Sequence, residues 1–492
     1  MIPVKPDRVF NREREWRGLA AFAGDPTPGA TLGVVSGRRR QGKSFLLQAL
    51  AQETGGVYFA ATEATEAESL RLFAETLTRH SREIIDPPFR DWNDAIRYLF
   101  RQYTDEPTLV VIDEFPFLAR ASPALASIIQ REIGPGGTGR ESSVRLVLCG
   151  SAMSVMGKLL SGAAPLRGRA AIELVVRPFG YQDAAEFWGI EDPLLAMRVH
   201  MIVGGTPAYR REFTRGDTPT GPDDFDDWVI RTALNPLTPL FREARYLLAE
   251  ETDIREPAIY HSVLAAIALG NTTNGAIASY VGRKSDQVTH PLTVLEDSAL
   301  VAREPNLFRS GRSTYRITEP LITFYEAIMR RRWAELELGL AETAWRAAQG
   351  TFASQIAGPH FEALCRSYAT LMGVDIFGEL PAEIGSGSVN DASGKSQLQI
   401  DVAALAPPEP GQPRRILSLG EAKWGETMDM SHLARLQHSA ALLGTRKYDT
   451  RDTILACYSA AGFAPDLREH AARDATRIRL ITPADLYSSS SL

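Results

Sequence analysis

An eight-residue motif near the start of the chain constrains the fold more than any other feature. Residues 37–44 read Gly-Arg-Arg-Arg-Gln-Gly-Lys-Ser and match the pattern G-x-x-x-x-G-K-[S/T]. The motif follows an apolar run at Thr31–Ser36 and opens a helical pattern at Lys43–Ala51, which is the context that a phosphate-binding loop requires. Its glycines let the backbone curl so that the N–H groups face a phosphate at a helix N-terminus. The motif therefore predicts a strand–loop–helix unit that binds a nucleotide.

The chemistry of this loop assigns roles to its residues. We expect Lys43 to neutralise β- and γ-phosphate oxygens and Ser44 to bind Mg²⁺. The predicted ligands are ATP and Mg²⁺. The predicted nucleotide-binding residues are those of the loop and the residue after it: Gly37, Arg38, Arg39, Arg40, Gln41, Gly42, Lys43, Ser44 and Phe45.

A second motif, an apolar run that ends in two acids, supplies the other half of the site. Leu109–Ile112 reads as a buried strand and is followed by Asp113 and Glu114. We expect Asp113 to hold the water shell of Mg²⁺ and Glu114 to polarise the attacking water. The pair therefore predicts hydrolysis of ATP in addition to binding.

Short apolar runs alternate with helical patterns over the first 150 residues. A helical stretch follows each of the first three runs, and this alternation predicts an α/β fold with a mainly parallel sheet covered on both faces. Residues 178–213 have a helical pattern and are predicted to form a lid beside the sheet. The runs predicted as strands are Thr31–Ser36, Val57–Ala60, Thr108–Ile112 and Val144–Cys149.

The pattern changes between residues 257 and 319. Three short helices, at Ala258–Ala268, Gly275–Val281 and Ser285–Asp297, are followed by two strands at Leu300–Glu304 and Ser313–Ile317. This order predicts a winged helix-turn-helix, which either contacts DNA through its third helix or packs on the nucleotide domain and transmits its state. The candidate DNA contacts are Arg283, Lys284, Gln287, His290, Arg309 and Arg312.

Three residues near the C-terminus predict a second chemical site. Asp401 lies on the strand Leu398–Val402, and the next strand carries Glu421 and Lys423. Residues two apart on a strand share a face, so Glu421 and Lys423 point together and Asp401 can join them. The two carboxylates would hold Mg²⁺ or Mn²⁺, while the lysine would steady a nucleophilic water or a scissile phosphate.

Two flanking helices and a polar segment complete this last domain. Glu362 could add a third acid from the helix before the strands, and Gln437 lies on the helix after them. The segment Gly385–Ser396 is rich in glycine and serine and is predicted to be the tip of a long hairpin.

Length and composition set the limits for the whole chain. With 492 residues we expect three domains, over residues 1–250, 251–345 and 346–492. The net charge of −6 means that nucleic-acid binding needs a local basic patch. The first fifteen residues lack the apolar stretch of a secretory signal, and Cys149, Cys365 and Cys457 are predicted to be buried and unpaired. We therefore expect a cytoplasmic protein.

The nucleotide site resembles a known group of ATPases. With Phe10–Glu15 ahead of it, the site resembles the AAA+-type ATPases of the archaeal ATPase group, related to the STAND signal-transduction ATPases, over about residues 8–215. The resemblance implies that Ser151 is a sensor residue and that Arg167 or Arg169 contacts the γ-phosphate. It also implies that Gly204–Pro207 belongs to the lid. If one of the two arginines acts from a neighbouring subunit, catalysis requires a homo-oligomer.

The C-terminal domain resembles a second family. Residues 349–485 are similar to the restriction-endonuclease-like PD-(D/E)xK nucleases, and such a domain, catalogued as one of unknown function, follows many ATPases of the archaeal group. The family pattern lacks its local proline here, before the first aspartate. The residues that match the pattern are Glu362, Asp401, Glu421, Lys423 and Gln437.

Three functions remain open from the sequence. The favoured one is an ATP-controlled DNA-processing or DNA-defence enzyme that cuts phosphodiesters. The second is a regulatory ATPase that binds DNA or a regulatory partner protein and has an inert C-terminal domain. The third is a STAND-like scaffold that oligomerises on ATP and recruits a partner without nucleic acid.

Overall fold

The computed structural model describes residues 3–85, 88–162, 164–249, 257–392 and 394–488. Within these ranges the strands form three sheets of five, six and two strands. None of the helices in the same ranges is long and apolar enough to cross a membrane. Cys149, Cys365 and Cys457 are buried and unpaired, which confirms that expectation.

The five-stranded sheet is parallel throughout and carries the nucleotide-binding motifs. Its strand order is β2-β3-β4-β1-β5. The strands are β1 (Thr31–Ser36), β2 (Val57–Ala60), β3 (Thr108–Asp113), β4 (Val144–Gly150) and β5 (Ala170–Val175). The helices are α1 (Glu13–Ala23), α2 (Lys43–Thr54), α3 (Glu66–Ser81), α4 (Trp92–Gln102), α5 (Phe115–Ala121), α6 (Leu125–Ile133) and α7 (Met153–Leu160). This arrangement confirms the predicted α/β fold with a mainly parallel sheet.

The four predicted strands are confirmed, and β3 and β4 each extend one residue further. Every residue of β4 is buried, because the central strands of a parallel sheet are covered on both faces and read as continuous apolar runs. No such signal exists for β5, where exposed and partly buried residues alternate. An edge strand of this kind lacks the continuous apolar run that identified the others.

A helical segment follows the sheet, which confirms the helical pattern predicted for residues 178–213. It consists of α8 (Tyr181–Trp188), α9 (Pro193–Val203), a π-helical turn at Tyr209–Phe213, α10 (Phe225–Arg231) and α11 (Pro239–Ala249). A buried hydrophobic core continues from these helices into the two following parts of the chain.

Residues 257–317 form what we call the helix–ribbon module. Its elements are α12 (Pro257–Ala268), α13 (Asn274–Val281), α14 (Ser285–Asp297), β6 (Val301–Pro305) and β7 (Ser313–Ile317), and the two strands pair antiparallel. The predicted order of three helices and a two-stranded ribbon is confirmed, while its assignment as a winged helix-turn-helix stays a prediction. Three helices lead onward: α15 (Pro320–Phe324), α16 (Trp333–Glu337) and α17 (Ala341–Thr351).

The C-terminal domain contains the six-stranded mixed sheet. Its order is β13-β12-β10-β9-β8, with β11 paired to β10; β8, β9 and β10 are antiparallel, whereas β10, β12 and β13 are parallel. The strands are β8 (Glu383–Asp391), β9 (Ser396–Leu405), β10 (Arg414–Lys423), β11 (Tyr448–Asp449), β12 (Ile454–Ser459) and β13 (Ile478–Ile481). The helices are α18 (Gly358–Leu371), α19 (Gly373–Phe377), α20 (Met430–Gly444), α21 (Pro465–Arg473) and α22 (Pro483–Tyr487).

The prediction of a long hairpin tip at Gly385–Ser396 is wrong. Strand β8 continues to Asp391 and β9 begins at Ser396, so only four residues lie between them. Two glycines in this segment serve close packing. A Cβ atom on Gly385 would lie 3.2 Å from Leu307 Cγ, and one on Gly387 would lie 2.4 Å from Phe308 Cδ2. The turn of the ribbon approaches the β8 backbone so closely that larger side chains do not fit.

Candidate functional site

The loop after β1 adopts backbone conformations that require its glycines. Gly37 has φ 150°, and a Cβ atom there would lie 2.4 Å from the carbonyl oxygen of Val176. Gly42 has φ 85° and precedes the first residue of α2. Side chains other than hydrogen are strained in this left-handed region, so both positions need glycine. The loop consequently curls over the N-terminus of α2, where backbone N–H groups are available to an anion.

Lys43 begins α2 and is buried beneath the loop. Its Nζ donates a hydrogen bond to the Arg38 carbonyl oxygen at 2.9 Å. Burial lowers the pKa of Lys43, while the negative charges of Glu114 and Asp113 oppose that shift. The ammonium group is thus held by the loop and faces the acids at the end of β3.

Asp113 and Ser44 meet at the carboxyl end of β3. The Tyr58 hydroxyl donates to Asp113 Oδ2 at 2.5 Å, and the Glu114 backbone N–H donates to Oδ1 at 2.9 Å. Burial acts to raise the pKa of Asp113, but hydrogen bonds from Cys149, Ser44 and Tyr58 outweigh it and leave the pKa below its ordinary value. An ionised carboxylate beside a hydroxyl is a donor set that suits Mg²⁺.

Glu114 and Ser151 are also brought together, from neighbouring strands. The Ser151 hydroxyl donates to Glu114 Oε2 at 3.1 Å and lies 3.3 Å from Oε1. Glu114 itself has φ 52° and ψ 40°, a left-handed conformation that costs a non-glycine residue about 1 kcal/mol or more. The fold therefore holds this carboxylate in one orientation at the edge of the site.

The loop lines a cavity of about 480 Å³, a size typical of small-molecule sites. Seven of the nine predicted nucleotide-binding residues line it, whereas Gly37 and Arg38 do not. Glu114 also lines the cavity. The seven are Arg39, Arg40, Gln41, Gly42, Lys43, Ser44 and Phe45.

Aromatic side chains form the opposite wall of the same cavity. The ring centroid of Phe10 lies 5.4 Å from that of Phe179 and 5.2 Å from that of Phe187. The guanidinium carbon of Arg12 lies 4.5 Å from the centroid of Phe179. The N-terminal segment that resembled the ATPase group thus contributes directly to the cavity.

The lid motif packs closely against Pro320 and Phe179. Gly204 has φ 57°, and a Cβ atom on it would lie 3.0 Å from Pro320 Cδ. A Cβ atom on Gly205 would lie only 1.9 Å from the Phe179 carbonyl oxygen, so this position also excludes side chains. Pro207, at the end of the motif, lines the cavity.

The two arginines assigned to the γ-phosphate do not line the cavity. Arg167 and Arg169 are exposed, and Arg167 Nη1 donates to the carbonyl oxygen of Gly162 at 2.7 Å. A role for either from a neighbouring subunit stays a prediction.

Arg211 is an arginine that the sequence reasoning missed. It lies in the π-helical turn at Tyr209–Phe213 and lines the cavity, with its guanidinium carbon 5.3 Å from the ring centroid of Phe45. The available signal was its position four residues after Pro207 in the lid motif.

The acidic residues of the C-terminal domain also come together. Asp401 on β9 faces β10, where the last paired residues are Val402 and Gly420. Asp401 Oδ2 accepts a hydrogen bond from the Ala422 backbone N–H at 3.0 Å, and burial raises the pKa of this carboxyl above its ordinary value. Lys423 Nζ lies 3.2 Å from Glu421 Oε1 on the same strand, as predicted from their spacing.

We call the carboxylates Asp401 and Glu421, together with Glu362 on α18, the acidic cluster. Burial, followed by the charge of Asp401, raises the pKa of Glu362 from 4.5 to about 7. Arg366, one turn further along α18, has its Nη1 3.9 Å from Glu362 Oε2. Glu362 is therefore close to the other two carboxyl groups in an environment that disfavours its charge.

Arg435, rather than Gln437, is the α20 residue that contacts the acidic cluster. Arg435 Nη2 donates to Glu421 Oε1 at 2.5 Å. Gln437 is exposed two positions later, and positions two apart do not share a helix face. Among the residues that the structure describes, no three His, Cys, Asp or Glu side chains are placed to hold a metal ion. The predicted pair Asp401 and Glu421 is thus present without a third such ligand.

The candidate DNA contacts divide into an exposed set and a packed turn. Arg283, Lys284, Gln287 and His290 are all exposed at the start of α14, and Arg312 is exposed on the ribbon. The ribbon turn, which contains the half-buried Arg309, packs against the C-terminal domain instead. The Leu307 backbone N–H donates to the Ser386 carbonyl oxygen at 3.1 Å, and the Phe308 and Tyr448 rings meet edge to face at 5.5 Å.

Comparisons with known proteins place this chain among distant relatives. No protein-family model matches it. An uncharacterized protein of Methanocaldococcus jannaschii is 26% identical over 313 residues; the match covers 62% of this chain and spans only 66% of that relative's length.

Two solved structures are similar to the chain at low sequence identity. The Walker-type ATPase of Pyrococcus abyssi has a TM-score of 0.48 and 20% identity, over 66% of this chain and 98% of that one. The ORC2 protein of Aeropyrum pernix, in its ADPNP–ADP complexes, has a TM-score of 0.44 and 15% identity, over 71% of this chain and 97% of that one. The chain's own residues therefore carry the functional conclusion.

Proposed function

We propose that this protein is an Mg²⁺-dependent ATPase that couples ATP binding and hydrolysis to DNA binding or processing. The observation that carries the ATPase proposal is the convergence of Lys43, Ser44, Asp113 and Glu114 at the carboxyl ends of β1 and β3. Ligands of parallel α/β sheets bind at these ends, where loops leave the sheet.

Each residue of this site has a defined task in the proposed reaction. The loop N–H groups and Lys43 bind phosphate oxygens, and Ser44 and Asp113 would hold Mg²⁺, which neutralises charge on the β- and γ-phosphates when bound. Glu114, oriented by Ser151, polarises the attacking water. Arg211 is one of four arginines that line the cavity, and we assign it to the transferred phosphoryl group within the same chain.

The aromatic wall suits the base of the nucleotide. Phe10, Phe179 and Phe187 line the cavity, pack against one another and present apolar ring surface there. A planar purine base packs favourably on such rings, whereas the phosphates require the polar loop opposite. The division of the cavity into an apolar and a polar side supports a nucleotide as its ligand.

The DNA part of the proposal rests on α14. Arg283 and Lys284, directly before this helix, and Gln287 and His290, in its first two turns, are exposed to solvent, whereas residues such as Val288 and Leu292 on its other face are buried. Basic and amide side chains at the start of a helix are suited to phosphate and base-edge contacts in a major groove. This exposed surface supplies the local basic patch that a chain of net charge −6 needs for nucleic-acid binding.

The DNA processing that we propose is cleavage of phosphodiesters by the acidic cluster. Asp401 and Glu421 would hold Mg²⁺ or Mn²⁺, Glu362 would add a carboxylate, and Lys423 would contact the nucleophilic water or the scissile phosphate. A metal bound there supplies activation of water and stabilisation of charge on the phosphate. The adjacency of these four side chains on β9, β10 and α18 supports it.

A specific observation favours a second candidate, a STAND-like regulatory ATPase with an inert C-terminal domain. Glu421 is already paired with two cations, Lys423 and Arg435, and the raised pKa of Glu362 disfavours the charge that a metal ligand needs. In this candidate the domain binds DNA or a regulatory partner protein, and ATP controls that binding or a homo-oligomer.

Paired assays on the purified full-length protein separate these candidates. ATP hydrolysis is measured with Mg²⁺, and cleavage of linear and supercoiled DNA is measured with Mg²⁺ or Mn²⁺, with and without ATP. We expect Lys43→Ala to abolish hydrolysis and the exposed control Lys447→Ala to retain it. We expect Glu421→Ala to abolish cleavage and Glu409→Ala, an exposed acid of the same domain, to retain it.

Each negative result has its own meaning. Absence of hydrolysis by the wild type would overturn the ATPase proposal. Hydrolysis without DNA cleavage under any condition would overturn the nuclease and select the regulatory candidate. Cleavage that survives in Glu421→Ala would show that it comes from elsewhere or from a contaminant.

A further inference from the structure

The phosphate-binding loop is tied to the ribbon of the helix–ribbon module by a buried ion pair. Arg38 Nη2 donates to Glu319 Oε2 at 2.9 Å, with the two side chains 8% and 3% exposed. Glu319 lies two residues after β7 and directly before α15. Arg38 also accepts the Lys43 hydrogen bond through its carbonyl oxygen, so the pair is connected to the phosphate-contacting lysine.

Only one of the two oxygens of the Glu319 carboxylate accepts a hydrogen bond. Its Oε1 atom is buried and accepts no hydrogen bond from any residue that the structure describes. A buried oxygen without a partner is costly, so a shift of the loop that brings a second donor to it would be favourable. The contact between loop and ribbon is consequently sensitive to small movements of Arg38.

The other end of the ribbon is tied to the acidic cluster. Glu304 on β6 accepts a hydrogen bond from Arg316 on β7 at 2.6 Å, and Arg366 on α18 reaches the second Glu304 oxygen at 3.5 Å. Arg366 Nη1 also donates to the backbone carbonyl oxygen of Asp401 at 3.0 Å. A single guanidinium thus joins the ribbon to the strand that carries Asp401.

The ribbon is suited to carry movement between these ends. Five residue pairs join β6 to β7, from Val301 and Ile317 to Pro305 and Ser313. Its turn is fixed on the C-terminal domain by the bond between Leu307 and Ser386, whereas a cavity of about 720 Å³ lies beside its strands. A displacement at Glu319 can therefore pass along β7 and through its pairing with β6 to Glu304, which lies opposite Thr314.

We propose that the ribbon links the two sites, with Glu319 positioning the phosphate-binding loop through Arg38 and Glu304 positioning Asp401 through Arg366. Binding of a nucleotide at the loop then changes the environment of the acidic cluster, whether that cluster cuts DNA or only binds it. This link rests on the proposed nucleotide binding and adds its route of regulation. It does not depend on nuclease activity.

Hydrogen–deuterium exchange of the full-length protein tests the link, with and without a non-hydrolysable ATP analogue and Mg²⁺. In the wild type we expect nucleotide to change amide exchange in two places: residues 37–54 at the loop, and α18 and β9 at the acidic cluster. We expect the second change to be lost in Glu304→Gln, which keeps protection at the loop, and also in Glu319→Gln. The control is Glu342→Gln, an exposed acid paired with Arg346 on α17, which keeps both changes.

The outcomes separate failure of the link from failure of nucleotide binding. Wild-type protection at the loop without any change of exchange in α18 and β9 would overturn the link alone. A nucleotide-dependent change in α18 and β9 that survives in both variants would do the same. No protection at the loop in the wild type would overturn nucleotide binding and the link with it. If Glu319→Gln does not fold, Glu304→Gln decides, because the Glu304 side chain is 25% exposed and tolerates the change.

Discussion

The Ser151 hydroxyl donates a hydrogen bond to Glu114 Oε2 at 3.1 Å, which joins the residue after β4 to the residue after β3. The two strands are parallel neighbours, with Ile112 beside Leu148, so both residues leave the same edge of the sheet. Glu114 therefore has its orientation set by its own left-handed backbone and by a neighbouring strand.

Replacing Glu114 by Gln should stop hydrolysis and preserve ATP binding. The amide keeps the size of the side chain but cannot accept a proton from water, and positioned acid–base groups contribute about 10²–10⁴-fold to rate. We expect a loss of turnover in that range with an affinity for ATP close to that of the wild type, measured by steady-state hydrolysis and equilibrium binding. Glu106→Gln, an exposed acid before β3, serves as the control. Unchanged turnover in Glu114→Gln would remove Glu114 from the reaction.

Replacing Ser151 by Ala should have a smaller effect of the same kind. A hydrogen bond to a charged group contributes about 1.5–3 kcal/mol, which corresponds to about tenfold or more in rate if the bond is needed only to orient Glu114. Turnover should fall while ATP affinity is retained. In the Glu114→Gln background Ser151→Ala should cause no further loss, and an additive loss would mean that the serine acts independently of Glu114.

We expect Arg211, unlike Arg167 and Arg169, to contribute to ATP hydrolysis at the site of its own chain. Of these three arginines, Arg211 is the one that lines the cavity, so Arg211→Ala removes a positive charge beside the bound nucleotide, whereas Arg167 and Arg169 lie outside the cavity lining. We expect Arg211→Ala to reduce kcat/KM for ATP by tenfold or more, on the order of one charge-assisted hydrogen bond. Activity that is lost in Arg169→Ala and restored by mixing with Lys43→Ala protein would instead assign the catalytic arginine to a neighbouring subunit.

The sheet was predictable because four of its five strands carry their signal locally. Four strands have continuous apolar runs, and the loop motif at residues 37–44 fixes one strand end and one helix start. The segment around Gly387 was predicted to be a hairpin tip because it is rich in glycine. Glycine is also needed in a strand that another backbone approaches closely, so composition alone does not separate the two cases. Only the position of Phe308, which is distant in sequence, distinguishes the two cases.

The site was predictable to the extent that its residues belong to contiguous motifs. Lys43, Asp113 and Glu114 follow from such patterns, and the spacing of Glu421 and Lys423 placed them on one strand face. Arg435 could not be found this way, because its contact depends on how α20 is rotated against β10. The pair Arg38 and Glu319 joins residues that are 281 positions apart, and no local pattern reports such a contact.

Glu362 should make stability depend on pH. Burial and the charge of Asp401 raise its pKa from 4.5 to about 7, so the folded protein binds this proton more tightly than the unfolded chain does. Its contribution is therefore most favourable below about pH 4.5 and is lost as pH rises to about 7. Glu362→Gln, which mimics the protonated acid, should become more stable relative to the wild type over this range, by about 1–3 kcal/mol in the free energy of unfolding.

Urea denaturation at pH 5 and pH 8 with a chelator present measures this difference. The exposed variant Glu342→Gln should show no such growth in relative stability between the two pH values. Equal pH dependence in the wild type and Glu362→Gln would mean that Glu362 ionises near its ordinary pKa in the folded protein.

Gly387 should be the most sensitive point of contact between the ribbon and the C-terminal domain. An alanine Cβ at this position would lie 2.4 Å from Phe308 Cδ2, and the Phe308 ring is held on its other side by Tyr448. Since neither ring can move freely, we expect Gly387→Ala to lower the free energy of unfolding by about 1–3 kcal/mol, as overpacked contacts do. Gly425→Ala is the matched control, because a Cβ atom there meets nothing within 4 Å.

Limited proteolysis distinguishes a loosened ribbon from a general loss of stability. If the turn is displaced from β8, cleavage in residues 306–312 should accelerate in Gly387→Ala under conditions where the nucleotide domain stays intact. The shorter Phe308→Leu side chain should relieve the clash, so the double variant should regain part of the lost stability. A Gly387→Ala protein as stable and as protease-resistant as Gly425→Ala would show that the rings move aside at no cost and that hydrogen bonds to Ser386 and Ser388 hold the turn in place.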